Sequence, residues 1–211
     1  MLFAFLCNSG LCVAQSPAAE LHHPAVVLVL GDSLSAEYGL KRGTGWVALL
    51  EQRLKTEKIP AMVVNASISG DTTSGGRSRL PALIAQHRPT LLMIELGGND
   101  ALRGLPLPST ADNLRSMVQM GKTSGAQVLL LGMQVPPNYG KSYTQQFART
   151  FKDVAHSQQV ALVPFFLKGI ADVPDSARWF QADRIHPNQA AHPIMLNNVW
   201  PAVKKNLQST H

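Results

Sequence analysis

Apolar residues fall into two patterns that alternate along the chain. One is the short continuous run: "VVLVL" at 26–30, "LLMIEL" at 91–96 and "VLLL" at 128–131. Runs without polar alternation fit strands covered on both faces. They predict strands over 25–30, 62–68, 90–96, 127–133 and 160–164. The other pattern spaces apolar residues at helical intervals, as with Trp46, Leu49, Leu50 and Leu54. It predicts helices over 45–58, 75–86, 110–123, 143–157 and 191–206, the last tolerating Pro193 in its first turn.

Strands that alternate with helices through right-handed crossovers make a doubly wound parallel sheet. The expected fold class is therefore α/β: a flavodoxin-like three-layer α/β/α sandwich, five strands in the order 2-1-3-4-5. Ligands of such sheets sit beyond the C-terminal strand ends, where strand order reverses. The exits of strands one, two and three read Gly31-Asp32-Ser33, Ser69-Gly70-Asp71 and Gly97-Gly98-Asn99-Asp100. Three polar, glycine-bearing exits thus converge on one crevice.

Composition narrows the class. The chain has 211 residues, 45% hydrophobic and 15% charged, which suits a folded globule rather than a disordered chain. The formal charge is +6, but the basic residues are scattered without interleaved aromatics. That pattern reads as a solvated surface, and no nucleic-acid partner is expected. Residues 1–14 read as an export signal that lacks the usual basic start, 15–24 as a linker, and 25–211 as one domain. Cys7 and Cys12 both fall in the leading segment, so the mature chain is expected to have no disulfide, thiol nucleophile or cysteine-based metal site. Neither has the context of a lipid anchor. A monomer in the periplasm or outside the cell is expected, with no stable membrane anchor and at most transient lipid contact.

Ser33 is the candidate nucleophile, and a serine hydroxyl needs a base within reach that a third group orients. His22 and His23 lie in the linker, and His211 is terminal. His87 and His156 close helices, and His192 fits a helix face. His186 differs: it stands in "QADRIHPNQ", with Asp183 three residues earlier and Pro187 stiffening the turn. The loop at 165–181 is long enough to carry it back over the sheet edge. There Asp183 can hold one ring nitrogen while the other faces Ser33. Attack on an acyl carbonyl creates an oxyanion. The expected donors are the N–H groups of Ser33 and Gly70 and the side-chain amide of Asn99. An alternative reading of "GGND" is a turn in which Asp100 caps the next helix.

"GDSLSAEYG", "NASISGDTT", "ELGGNDALRGLP" and "DRIHPN" resemble, in order and spacing, the four sequence blocks of the SGNH (GDSL) hydrolases. Within that family they are similar to the bacterial TesA-type thioesterases, arylesterases and lysophospholipases. The resemblance spans residues 26–205. It implies Ser33, Gly70, Asn99 and His186 in the family's four named roles, Asp183 as third triad member, and a monomeric enzyme without metal or other cofactor. Two departures stand out: Arg184 where relatives usually have glycine, and Glu37 in place of a small residue, each a candidate modifier of substrate binding.

The segment 101–108, "ALRGLPLP", is apolar and bounded by glycine and proline. It is read as a lip for an acyl chain, through Ala101, Leu102, Leu105 and Leu107, or else as a plain connecting loop. By resemblance, 134–143 forms the opposite wall, with Pro136 and Tyr139. Asp32, Leu34 and Ile185, which flank the reacting residues, complete the expected substrate surface. The substrate class is then a small acyl ester or thioester. Two other readings stay open, a carbohydrate O-acetyl esterase and a non-catalytic binding module. "GDSLS" lacks the lysine of a phosphate-binding P-loop.

Overall fold

The computed structural model describes residues 24–208. The expected export signal, the linker up to residue 23, both cysteines, His22, His23 and His211 lie outside the described residues. Strands β1 (Ala25–Gly31), β2 (Ala61–Asn65), β3 (Leu91–Glu95), β4 (Gln127–Leu131) and β5 (Ala161–Val163) form one parallel sheet in the order β2-β1-β3-β4-β5. Six α-helices are described: α1 (Trp46–Thr56), α2 (Thr73–His87), α3 (Gly98–Leu102), α4 (Leu107–Thr123), α5 (Lys141–Gln158) and α6 (His192–Gln208). Helices α1 and α6 pack together on one side; α2, α4 and α5 pack in sequence on the other. The fold and strand order are those expected from the hydrophobic pattern.

Burial explains why the runs are continuous. Every residue of β3 is buried, because helices cover both faces. The edge strand β2 is only half covered and leaves Met62 exposed. Trp46 packs edge-on against Phe166 at 5.3 Å, and Phe147 packs likewise against Phe151 at 5.3 Å, so each helical layer anchors an aromatic pair in the core.

Several element ends differ from those expected, α4 starting at Leu107 rather than at 110 and β4 ending at Leu131 rather than at 133, and two departures have clear physical reasons. The segment 66–68, expected to finish β2, leaves the strand, yet Ala66 N and Ile68 N still donate to the carbonyls of Val29 and Gly31. The exit of β2 thereby stays fastened to the exit of β1. Helix α3 was not expected, since five residues carry no usable periodicity. Its Asp100 is buried and does not cap a neighbouring helix in sequence. It accepts hydrogen bonds from Thr73 N (2.9 Å), from Thr73 Oγ1, and from Thr110 Oγ1 (3.3 Å). One carboxylate therefore joins the start of α2, helix α3 and the first turn of α4.

Replacing Asp100 with alanine strands the Thr73 donors in the interior and should lower the unfolding free energy by about 3 kcal/mol, read from urea titration. Asp100→Asn keeps an acceptor oxygen and should recover part of that loss.

Candidate active site

The chain turns sharply after β1. Asp32 Oδ1 accepts from Leu34 N at 3.0 Å, and the Asp32 carbonyl accepts from Ser35 N and Ala36 N, so Ser33 heads a tight turn at the sheet's C-terminal rim. Asn65 at the end of β2 donates its Nδ2 to the Ser35 carbonyl at 2.7 Å and holds that turn against the sheet.

Opposite it lies the 180–188 loop. Phe180 and Pro187 form an antiparallel bridge, Gln181 N donates to the His186 carbonyl at 2.8 Å, and Arg184 occupies the tip with φ of 58°. His186 Nε2 lies 3.0 Å from Ser33 Oγ, and His186 Nδ1 lies 2.7 Å from Asp183 Oδ2. The second Asp183 oxygen accepts from Ile185 N (2.9 Å) and His186 N (3.0 Å). The imidazole contact, followed by those backbone donors, holds the Asp183 carboxyl down at about 2, so it stays ionised across the neutral range. An ionised Asp183 accepts the Nδ1 proton, which leaves a lone pair on Nε2 facing the hydroxyl.

Three further contacts fix the imidazole. The Tyr38 ring lies 4.3 Å from it, centroid to centroid, tilted by 37°. Gln181 Nε2 donates to the carbonyls of Tyr38 (2.8 Å) and Pro187 (3.1 Å), stapling the serine turn to the histidine loop. Beneath the loop, buried His192 accepts from Trp46 N through Nδ1 at 3.0 Å, while its ring also meets the Pro187 carbonyl. His192 is thus a buried brace at the start of α6 and not a surface residue of it.

The expected oxyanion donors stand on the same rim. Gly70 follows β2 with φ of 80°, a conformation open to glycine at little cost. Arg103 Nη2 donates to its carbonyl at 2.8 Å, tying the Gly70 turn to the end of α3. Asn99, half-buried on α3, donates Nδ2 to Asp32 Oδ2 at 2.9 Å.

The expected substrate surface divides. Leu102, Leu105, Pro136, Tyr139 and Ile185 are exposed, and Leu107 packs partly against the core. Asp32, Leu34 and Ala101 do not fit the expectation: they are 3%, 8% and 1% exposed. The turn after β1 points Asp32 inward, where Leu34 N and Asn99 Nδ2 take both its oxygens, and α3 faces Ala101 into the core. Burial pushes the Asp32 carboxyl up to about 6, against hydrogen bonds that pull it down. Glu37 also differs from expectation. Its carboxylate accepts from Gly43 N at 3.0 Å and Gly45 N at 2.7 Å, closing the loop that enters α1. Arg184 is exposed at a left-handed position, where a glycine pays no steric penalty.

Tyr38, Gln181, His192 and Glu95 were missed from the sequence as parts of the site. Their contacts join segments far apart in the chain, which leave no local pattern. Among the described residues, no group of three His, Cys, Asp or Glu side chains is placed to hold a metal ion, and no helix is long and apolar enough to cross a membrane.

His192 generates a pH prediction. Burial lowers it from 6.5 to about 4, so the folded ring stays neutral where the unfolded ring binds a proton. Its contribution to stability is complete above about pH 6.5 and is lost as pH falls towards 4, a difference on the order of 3 kcal/mol. Chemical denaturation of wild type and His192→Gln from neutral to pH 4 should show the wild-type advantage shrinking by that amount.

Known proteins are similar to this chain in sequence and in fold. The model of the GDSL-like lipase/acylhydrolase family matches residues 29–194, from within β1 into the first turn of α6. Esterase TesA of Pseudomonas aeruginosa is 50% identical over 198 residues, 94% of each chain. Thioesterase 1/protease 1/lysophospholipase L1 of Escherichia coli K12 is 42% identical over 182 residues, 86% of this chain and 83% of that protein. A crystal structure of TesA superposes with a TM-score of 0.82 at 52% identity, covering 86% of this chain and 99% of that one. With its sheet order, its rim of polar strand exits and these similarities, the chain belongs to the GDSL-like lipase/acylhydrolase family.

Proposed function

We propose that the protein is a serine hydrolase that cleaves carboxylic esters and thioesters through an acyl-enzyme, as its relatives' names, esterase and thioesterase/lysophospholipase, suggest. One observation carries the reading: the continuous hydrogen-bond line Ser33 Oγ, His186 Nε2, His186 Nδ1, Asp183 Oδ2, at 3.0 and 2.7 Å. In this reading Nε2 takes the Ser33 proton as Oγ attacks the acyl carbon, and ionised Asp183 stabilises the imidazolium. Ser33 N–H, Gly70 N–H and the Asn99 amide receive the developing oxyanion. His186 then returns the proton to the departing alcohol or thiol. Water enters, loses a proton to the same nitrogen, and releases the acid by the reverse path.

The acyl chain is assigned to the exposed apolar side chains Leu102 and Leu105, which follow Asn99, and Ile185, which precedes His186, with Pro136 and Tyr139 as the other wall. The tilted Tyr38 ring suits a cationic imidazole, since its π-face attracts positive charge. Export of the chain by residues 1–14 and action as a monomer complete the reading.

With p-nitrophenyl esters, Ser33→Ala and His186→Ala should each lower kcat by on the order of 10⁵–10⁶-fold, and Asp183→Asn by less. Asn99→Ala should lower kcat by about 10²–10³-fold with KM little changed, because its amide is asked to act on the transition state. Full activity in the serine or histidine variant refutes the assignment. A profile of acetate, octanoate, a long-chain thioester and an acetylated sugar tests the substrate class; turnover of the sugar alone contradicts the acyl-chain reading.

A further inference from the structure

Behind Ser33 lies a pair of carboxyl groups that the reaction as described does not use. Glu95, the last residue of β3, is 1% exposed and stands in register with Gly31 of β1. Its Oε2 accepts from Ser35 Oγ at 2.7 Å and from Asp32 N at 3.3 Å. Trp46 Nε1 donates to Ser35 Oγ at 3.1 Å, which turns the Ser35 hydroxyl proton towards Glu95. The glycine of "GDS" makes room for this: a Cβ on Gly31 would lie 2.8 Å from Glu95 Oε2 and 2.8 Å from Ser35 Oγ.

Glu95 and Asp32 are both buried, and the Glu95 carboxyl meets the main chain of Asp32 directly. Ionised carboxylates only accept, so direct contact between the two acids would need a proton on one of them. The groups around the pair are neutral donors: the Ser35 hydroxyl, the N–H groups of Asp32 and Leu34, and the Asn99 amide. Arg79 of α2 reaches the nearby Gly31 carbonyl at 3.4 Å, but its Nε is committed to Asp71 at 2.8 Å. Charge on the His186 imidazole would favour the ionised form of Asp32.

We propose that Glu95 is a positioning residue that keeps its proton, shares it with Asp32, and so holds the Asp32 carboxylate where it aims the Asn99 amide at the reacting carbonyl. The inference rests on the serine-hydrolase reading for the role of Asn99. Burial first, and the Asp32 charge second, push the Glu95 carboxyl well above its ordinary range. The shared proton also serves catalysis. Two ionised carboxylates here would set two negative charges behind the spot where a third develops. One proton leaves Asp32 with a single charge, spread over Leu34 N and Asn99 Nδ2. Asn99 then has one amide hydrogen fixed and one free for substrate.

Glu95→Gln and Glu95→Leu test this. The glutamine is neutral at every pH and keeps a donor for Asp32 and an acceptor for Ser35, so kcat should stay within about 3-fold of wild type. The leucine should lower kcat by about 10²-fold with KM little changed, and adding it to Asn99→Ala should cost almost nothing more, because both act through one amide. Additive losses overturn the positioning role. A second measurement needs no turnover. Folded Glu95 holds its proton where the unfolded side chain loses it, so wild-type stability falls as pH rises above about 4.5. The melting temperature of Glu95→Gln minus that of wild type should therefore climb from pH 5 to pH 9. The wild type should also show an infrared band of a protonated carboxyl near neutral pH that the glutamine variant lacks. A flat difference with no such band overturns the shared proton, even if the protein proves to hydrolyse nothing. An unreactive Ser33 with both signatures present refutes the hydrolase reading alone.

Discussion

A hydroxyl becomes a useful nucleophile only when a base can take its proton as it attacks, so the proposed chemistry depends on holding one imidazole against one serine. Ser33 and His186 are 153 residues apart in sequence and 3.0 Å apart in space. The sheet brings the serine to the rim. The loop after β5 brings the histidine back over that rim, and Tyr38, Gln181 and buried His192 keep it there. Two of these contacts join the β1 exit to the histidine loop, and His192 links α1 to the Pro187 carbonyl at the end of that loop. Contacts that stabilise the loop therefore also hold the imidazole in place.

The second layer of the site is electrostatic and lies inside the sheet. Asp32, Glu95 and Asp100 are buried acids grouped around the β1 and β3 exits. Asp100 is satisfied by threonine donors and serves the framework. Asp32 is satisfied partly by the Asn99 amide, the proposed oxyanion donor. Burying a charge is costly unless it is hydrogen-bonded, so such acids are informative wherever they occur. Their cost is accepted because fixed dipoles near a reaction need not reorganise when charge develops.

Much of this was legible in the sequence. The apolar runs at β1, β3 and β4 marked central strands because two-sided burial leaves no room for polar alternation, and Asp183-x-x-His186 marked a turn that can orient a ring. Among the histidines, His186 stood out through its neighbours Asp183 and Pro187, with His192 a lesser alternative. The unreadable parts were long-range or conformational. Glu95 sat inside "LLMIEL" as a lone acid in a doubly covered strand, a signal in hindsight, but its partners Ser35 and Asp32 lie about sixty residues away. Asp32 and Ala101 were taken as substrate-facing from their neighbours in sequence, yet a tight turn and a short helix send adjacent residues in opposite directions. Glu37 and Arg184 both adopt positive φ, which composition does not announce.

The most direct test of the central contact is covalent. A p-nitrophenyl alkylphosphonate mimics the tetrahedral intermediate and phosphonylates only an activated hydroxyl. Peptide mass spectrometry should locate one adduct per chain, on Ser33, formed rapidly in wild type and almost not at all in His186→Ala. Labelling elsewhere, or labelling of Ser33 at the same rate without the imidazole, would contradict the account.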